Sequence, residues 1–170
     1  KLYAPVVRRI DVDPSTFEAQ VESALYLTTI ICYAQGLSLL VKASEELKME
    51  IPLKDVVKIW RGGCIIRSTL LETFYKAYQA DPALSNILLD ATIAGEVKAS
   101  LEDLRKVVSE ATKSGISIGA IQSSLAYLES YTSAKMPTNL IQAQRDNFGS
   151  HTYQRIDTEG IFHTEWTTHI

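Results

Sequence analysis

Residues 23–41 read SALYLTTIICYAQGLSLLV, a run without a single charged side chain. Threonine, serine, glutamine, glycine and tyrosine interrupt this run, and charged residues flank it at Glu18, Glu22 and Lys42. A helix that is apolar on most sides but carries scattered polar atoms is typical of the centre of a large helical bundle rather than of a bilayer span. We therefore predict a long buried helix and no transmembrane segment, with a capping box at 15–18 marking the start of the helix.

The remaining chain shows helical periodicity in segment after segment. Residues 53–60 and 65–78 flank the pair Gly62-Gly63, and two later segments carry apolar stripes at helical spacing: Val97, Leu101, Leu104, Val108 and Ala111, then Ile118, Ile121, Leu125 and Leu128. No segment alternates apolar and polar residues for long enough to indicate a sheet. The sequence predicts an all-α fold, a multi-helix bundle-like domain around the long buried helix, with an irregular C-terminal tail.

Composition narrows the class of protein. The 170 residues are 46% hydrophobic and 22% charged, which is ordinary for one soluble domain with a substantial core. The net charge of -3 gives no general attraction to nucleic acid or to an acidic membrane, so we predict neither as a partner and expect any anion site to be a local cluster of cations. Cys32 and Cys64 have apolar neighbours, which favours buried free thiols and a cytoplasmic location.

The first candidate site residue is Arg67, which follows the double glycine. Gly62-Gly63 is poor inside a helix, so we predict a break there and place Arg67 in the first turn of the next helix. A cation at that end opposes the helix dipole, whereas a phosphate would be attracted by both the dipole and the guanidinium. Arg67 is therefore a candidate anion ligand. Arg61, before the break, is expected to neutralise the C-terminal end of its own helix.

The second candidate stretch is RDNFGSHTY at residues 145–153. If Gly149 is the left-handed residue that ends a helix, a Schellman motif bonds the Ser150 amide to the Arg145 carbonyl and brings His151 beside Arg145. A cation next to an imidazole suits an anionic, hydroxylated ligand. In the alternative interpretation, Arg145 only satisfies the negative end of its helix and His151 lies in a solvated turn.

Three other motifs are weaker. Residues 115–119 match the G-x-S-x-G nucleophile elbow by letters, but a charged amphipathic helix precedes them where the elbow needs a strand. His151, His163 and His169 with Asp157 and Glu165 lack the spacing that fixes a metal site, so no metal is predicted. The glycines nowhere spell G-x-G-x-x-G after a strand, so no dinucleotide cradle is recognisable.

Together with the segments at 34–36 and 136–144, the stretches around Arg67 and Arg145 resemble the C-terminal half of 6-phosphogluconate dehydrogenase, from about Phe17 to Trp166. The resemblance implies an NADP-dependent decarboxylating oxidoreductase that converts 6-phosphogluconate to ribulose 5-phosphate in the pentose phosphate pathway and gluconate utilisation. It implies that Arg67 and Arg145 bind the substrate phosphate and that His151 hydrogen-bonds the substrate. The family's catalytic lysine and glutamate and its dinucleotide fold belong to an N-terminal half, so no catalytic residue is expected here. NADP would be bound mainly by that half, and this chain alone should be inactive.

The resemblance also implies a domain organisation. Residues 1–150 would form an all-helical substrate-binding and dimerisation domain, and residues 151–170 a C-terminal tail that docks on the partner subunit of a homodimer. Tyr153, Phe162 and Trp166 agree with docking, because a free tail would leave these rings in water; the residues themselves leave open whether it docks on its own or a partner subunit. The alternative function is a non-catalytic helical assembly module whose arginines are helix caps and surface charges.

Overall fold

The structure is a computed structural model and describes residues 9–166. The chain divides into two compact units, Lys1–Glu129 and Ser130–Ile170. The prediction of an all-α fold is confirmed: residues 9–166 contain six α-helices and no strand, and an isolated β-bridge joins Tyr153 to Phe162. His169 and the end of the predicted tail lie outside the described residues.

The helices follow one another with short connections. In chain order they are α1 (Pro14–Leu47), α2 (Leu53–Trp60), α3 (Leu70–Ala80), a short 3-10 helix (Ile87–Leu89), α4 (Ala91–Lys113), α5 (Gly119–Thr132) and α6 (Asn139–Gly149). The first unit contains α1 to α4 and most of α5, and the second contains α6 and the segment that follows it.

The N-terminus of α1 differs from the predicted capping box. Asp13 is the N-cap: its carboxylate accepts the Thr16 amide at 2.9 Å, and Pro14 occupies the first turn, where a missing amide proton costs nothing. The hydroxyls of Thr16 and Ser15 also donate to this carboxylate, and these bonds lower the pKa of Asp13 to about 2. The prediction of a capping box at Ser15 was wrong because Asp13 already caps the helix from outside.

Helix α1 is the centre of the first unit. Its buried residues are distributed around much of the helix: Ala24, Leu27, Thr28, Ile30, Ile31, Ala34 and Leu37. α4 packs along it, the 3-10 helix contacts it, and α2 packs against α3. By length and composition α1 could cross a membrane, but half of its most apolar window is buried inside the protein, as in a core helix.

Two helix boundaries were predicted from glycine positions. The structure corrects the start of α3 and confirms the end of α4. The predicted helix at 65–78 begins only at Leu70, because Gly63 has a φ of 98° and the following residues form a turn. Helix α4 ends as predicted at Ser114-Gly115, where Gly115 (φ 67°) supports a Schellman motif with the Ile116 amide on the Ala111 carbonyl at 2.9 Å. The G-x-S-x-G letters at 115–119 therefore join two helices and form no nucleophile elbow.

Two leucines on α1 test how strongly stability depends on this helix. Leu27 is fully buried, whereas Leu25 on the same helix is 55% exposed. Leu27→Ala should lower the free energy of unfolding by about 2–5 kcal/mol because it leaves a cavity in the core, and Leu25→Ala by less than about 1 kcal/mol. Urea denaturation followed by circular dichroism measures both. Equal losses in the two variants would contradict the burial of α1 described here.

Candidate functional site

The loop between α2 and α3 carries the first candidate ligand. α2 ends at Trp60, as predicted, and Arg61 is its C-cap residue. The Arg67 amide then donates to the Cys64 carbonyl at 3.0 Å, and the Ser68 hydroxyl accepts the Leu70 amide at 3.2 Å. Arg67 therefore lies in the turn before α3 and not in its first helical turn, which corrects the prediction. Arg67 still precedes the N-terminus of α3 in the chain.

A depression of about 780 Å³ opens beside this loop. Cations and hydroxyls dominate its lining, which consists of Lys58, Arg61, Gly62, Arg67, Ser68, Thr69 and Glu72. Glu72 forms an ion pair with Arg61. Arg67 is exposed, and within residues 9–166 no carboxylate lies at ion-pair distance from it. An unpaired guanidinium next to hydroxyls is a suitable ligand for an anion, phosphate in particular.

A second, more apolar depression of about 570 Å³ lies between the same loop and α1. Its lining includes Thr28, Thr29, Cys32, Tyr33, Gly36, Trp60, Ile65, Ile66, Arg67 and Ser68. Arg67 and Ser68 thus line both depressions.

The prediction of buried cysteines was wrong, because Cys32 and Cys64 are exposed; both are free thiols.

Helix α6 carries Arg145 and ends differently from the predicted Schellman motif. Gly149 is still helical, and the left-handed residue is Ser150 (φ 50°), whose amide donates to the Asp146 carbonyl at 2.8 Å. A Cβ at Gly149 would lie 3.2 Å from Nε2 of the His151 ring, so the ring lies close to the glycine backbone. His151 is therefore packed on Gly149. Arg145 is exposed, and its Nη1 donates to the Gln142 side-chain oxygen at 3.3 Å.

The centre of the second unit is Asp146, which sequence reasoning missed. Its side chain is fully buried and accepts four hydrogen bonds of 2.8–2.9 Å, from the amides of Thr152 and Thr164, from His163 Nδ1 and from Trp166 Nε1. These bonds tie the segment after α6 back to the helix. One signal was present: a carboxylate in the last turn of a helix opposes the helix dipole, so it needs other donors.

The Asp146–His163 pair shifts two pKa values. Burial raises the pKa of Asp146, but the hydrogen bonds from His163, Thr164, Trp166 and Thr152 outweigh it and hold the pKa well below its usual range. The bond to Asp146 raises the pKa of His163. The contribution of His163 to stability is therefore complete below about pH 6.5 and is lost as pH rises through its folded pKa. That of Asp146 is present above about pH 3.9 and is lost as pH falls through its folded pKa.

The candidate residues fall into the two units. Arg67 belongs to the first, while Arg145 and His151 belong to the second, where they lie on either side of Asp146 in the sequence. Among the described residues no group of three or more His, Cys, Asp or Glu side chains could hold a metal ion. In that same part of the chain no strand leads through a glycine turn into a helix, so it contains no dinucleotide cradle of the Rossmann type.

Known proteins share both the sequence and the fold. The sequence pattern of the 6-phosphogluconate dehydrogenase C-terminal domain matches residues 2–166. The chain belongs to the 6-phosphogluconate dehydrogenase family. A decarboxylating 6-phosphogluconate dehydrogenase from Oryza sativa subsp. japonica, named as chloroplastic, is 43% identical over 95% of this chain and 32% of its own length. An NADP(+)-dependent, decarboxylating one from Bacillus subtilis (strain 168) is 42% identical over 97% of this chain and 35% of its own length.

A solved structure agrees with this assignment. The Plasmodium falciparum 6-phosphogluconate dehydrogenase, solved in its apo form, with its cofactor NADP+ and with its substrate 6-phosphogluconate, superimposes with a TM-score of 0.84 at 45% identity. The match covers 94% of this chain and 35% of that protein. The chain thus spans about a third of the length of the relatives it matches.

The pairing of Asp146 with His163 can be tested by titration. Asp146→Asn removes the negative charge that holds the His163 imidazolium, so the pKa of His163 should fall towards about 6.5. NMR titration of the imidazole ring protons measures the change. As a control, His151→Gln should leave the His163 titration unaltered, because the His151 ring packs on Gly149. A His163 pKa that stays raised in Asp146→Asn would mean that the carboxylate is not its cause.

Proposed function

We propose that this chain is the C-terminal part of an NADP-dependent, decarboxylating 6-phosphogluconate dehydrogenase and that it binds the phosphate of 6-phosphogluconate. The observation that carries the proposal is Arg67, an exposed guanidinium without an ion-pair partner in the described part of the chain, in a depression that also contains the Ser68 and Thr69 hydroxyls. In a helical assembly module this guanidinium would be only a surface charge. In an enzyme of this family, the Arg67 guanidinium would bind the phosphate group of a sugar acid phosphate.

Each predicted site residue has a role in this proposal. Arg67 and Arg145 donate to the phosphate oxygens, because guanidinium groups form paired, charge-assisted hydrogen bonds with phosphate. His151 hydrogen-bonds the substrate from a turn in which the Thr152 amide donates to the Asp146 carboxylate. Three of the other arginines suit this task less well, because Arg61, Arg105 and Arg155 already pair with Glu72, with Glu102 and Glu129, and with Asp157.

NADP binding and the chemical steps belong, in this proposal, to the other two thirds of the enzyme. The described residues do not fit a dinucleotide cradle, since their glycines lie within helices, between helices or in the segment after α6. The chain alone should therefore bind phosphate weakly and leave NADP unreduced.

We propose a cytoplasmic location, although the rice relative is named as chloroplastic.

The proposed enzyme is a homodimer in which each tail serves the partner's site. Residues 1–150 would supply the substrate-binding and dimerisation domain, and residues 151–170 the docking tail. Large apolar side chains remain exposed in the second unit, among them Leu140, Phe148, Ile156 and Ile161. Exposed apolar side chains that are this numerous support contact with another protein surface, and a two-fold dimer would make the exchange reciprocal.

Substitution of the two arginines tests the phosphate assignment in the complete enzyme. Arg67→Ala and Arg145→Ala should each lower kcat/KM for 6-phosphogluconate by about 10-fold to 150-fold, because a charge-assisted hydrogen bond contributes roughly 1.5–3 kcal/mol. Lysine at either position should restore only part of the loss, since it cannot form the paired bonds. Arg105→Ala is the matched control, because Arg105 already pairs with Glu102 and Glu129. If both site variants kept the wild-type kcat/KM, the assignment would be wrong.

Mixed dimers test whether the tail serves the partner's site. Full-length Arg67→Ala and Arg145→Ala subunits are co-expressed. If each site combines Arg67 of one subunit with Arg145 of the other, one site of every mixed dimer carries both substitutions and the other site carries neither. Activity should return to about a quarter of the wild-type value, because random pairing makes half of the dimers mixed and each has one intact site. Mixed dimers as inactive as either parent would mean that each tail serves its own subunit.

A further inference from the structure

Tyr33 contacts the loop between α2 and α3, which carries Arg67. It is a half-buried residue of α1, and its ring contacts both helices that flank the loop. The ring centroid is 6.3 Å from that of Trp60 at the end of α2 and 5.3 Å, in an edge-on arrangement, from that of Phe74 in α3. Its hydroxyl donates a hydrogen bond to the carbonyl of Ile66, the residue before Arg67. Tyr33 therefore touches α2, the loop and α3 at once.

The loop's own hydrogen bonds shape it without attaching it to the core. The Arg67 amide bonds to Cys64 and the Ser68 hydroxyl to the Leu70 amide, and both bonds are local. Ile65 is fully exposed, so its side chain does not anchor the loop. The Tyr33–Ile66 bond, in contrast, joins the loop to a helix that forms the centre of the first unit. Burial raises the pKa of Tyr33. The hydroxyl is therefore protonated at neutral pH and can donate this hydrogen bond.

We propose that Tyr33 is a positioning residue for Arg67: its hydroxyl holds the α2–α3 loop so that the guanidinium is already in place when the substrate phosphate arrives. The inference rests on the proposed function, in which Arg67 binds that phosphate. A loop that is ordered before binding loses less conformational entropy on binding, which strengthens the phosphate contact without touching the reacting atoms. The effect should therefore be on KM and not on kcat.

Tyr33→Phe in the complete enzyme removes the hydroxyl and keeps the ring that packs on Trp60 and Phe74. We expect KM for 6-phosphogluconate to rise about threefold to tenfold, the range of one neutral hydrogen bond, while kcat stays within about twofold. Tyr26→Phe is the matched control. It removes the same atom from the same helix, but the Tyr26 hydroxyl donates to Glu96 at 2.8 Å and not to the loop, so KM should not change.

The same substitution in an Arg67→Ala background separates positioning from general destabilisation. If Tyr33 acts through Arg67, Tyr33→Phe should raise KM no further once the guanidinium is gone. An unchanged KM in Tyr33→Phe, or an equal rise with and without Arg67, would overturn the positioning role and leave the phosphate site intact. An unchanged KM in Arg67→Ala alone would overturn the phosphate site itself, and the role of Tyr33 with it.

Discussion

The burial of α1 is the constraint on which the first unit depends. Residues 23–41 contain no charged side chain, so this helix must be covered along most of its length to remove its apolar surface from water. α4 covers one side, and the 3-10 helix contacts it as well. The same helix carries Tyr33, which holds the loop before α3. The helix that stabilises the core is therefore also bonded to the loop that carries the candidate phosphate ligand.

In the second unit, a single buried carboxylate has the corresponding role. Asp146 is unfavourably placed near the negative end of α6 and is removed from water, and four donors from the following segment offset both costs. Those donors order a stretch that has little regular secondary structure. Arg145 and His151 flank this carboxylate in the sequence, so the bonds that fold the segment also define the backbone from which His151 extends.

Two of the local predictions that were wrong concern helix ends. Ser15 and Gly149 are good residues for a helix cap and a left-handed turn, but Asp13 and Ser150 take those positions. Asp13 does so because its carboxylate collects three donors at once. Gly149 remains helical, and the His151 ring packs against it. At the start of α1, side-chain contacts that a spacing rule does not include therefore decided which of two suitable residues caps the helix.

The sequence by itself determined the fold class, the central helix, the apolar stripes of α4 and α5 and the family, because these depend on periodicity and on residue types that local reading detects. It also pointed to Arg67, Arg145 and His151 as candidate ligands. Only the tertiary structure decided that Asp146 gathers donors as distant as Trp166 and that Tyr33 reaches the loop at Ile66. Hydrogen bonds between residues far apart in the chain depend on how the elements pack, and no local spacing of residues encodes that packing.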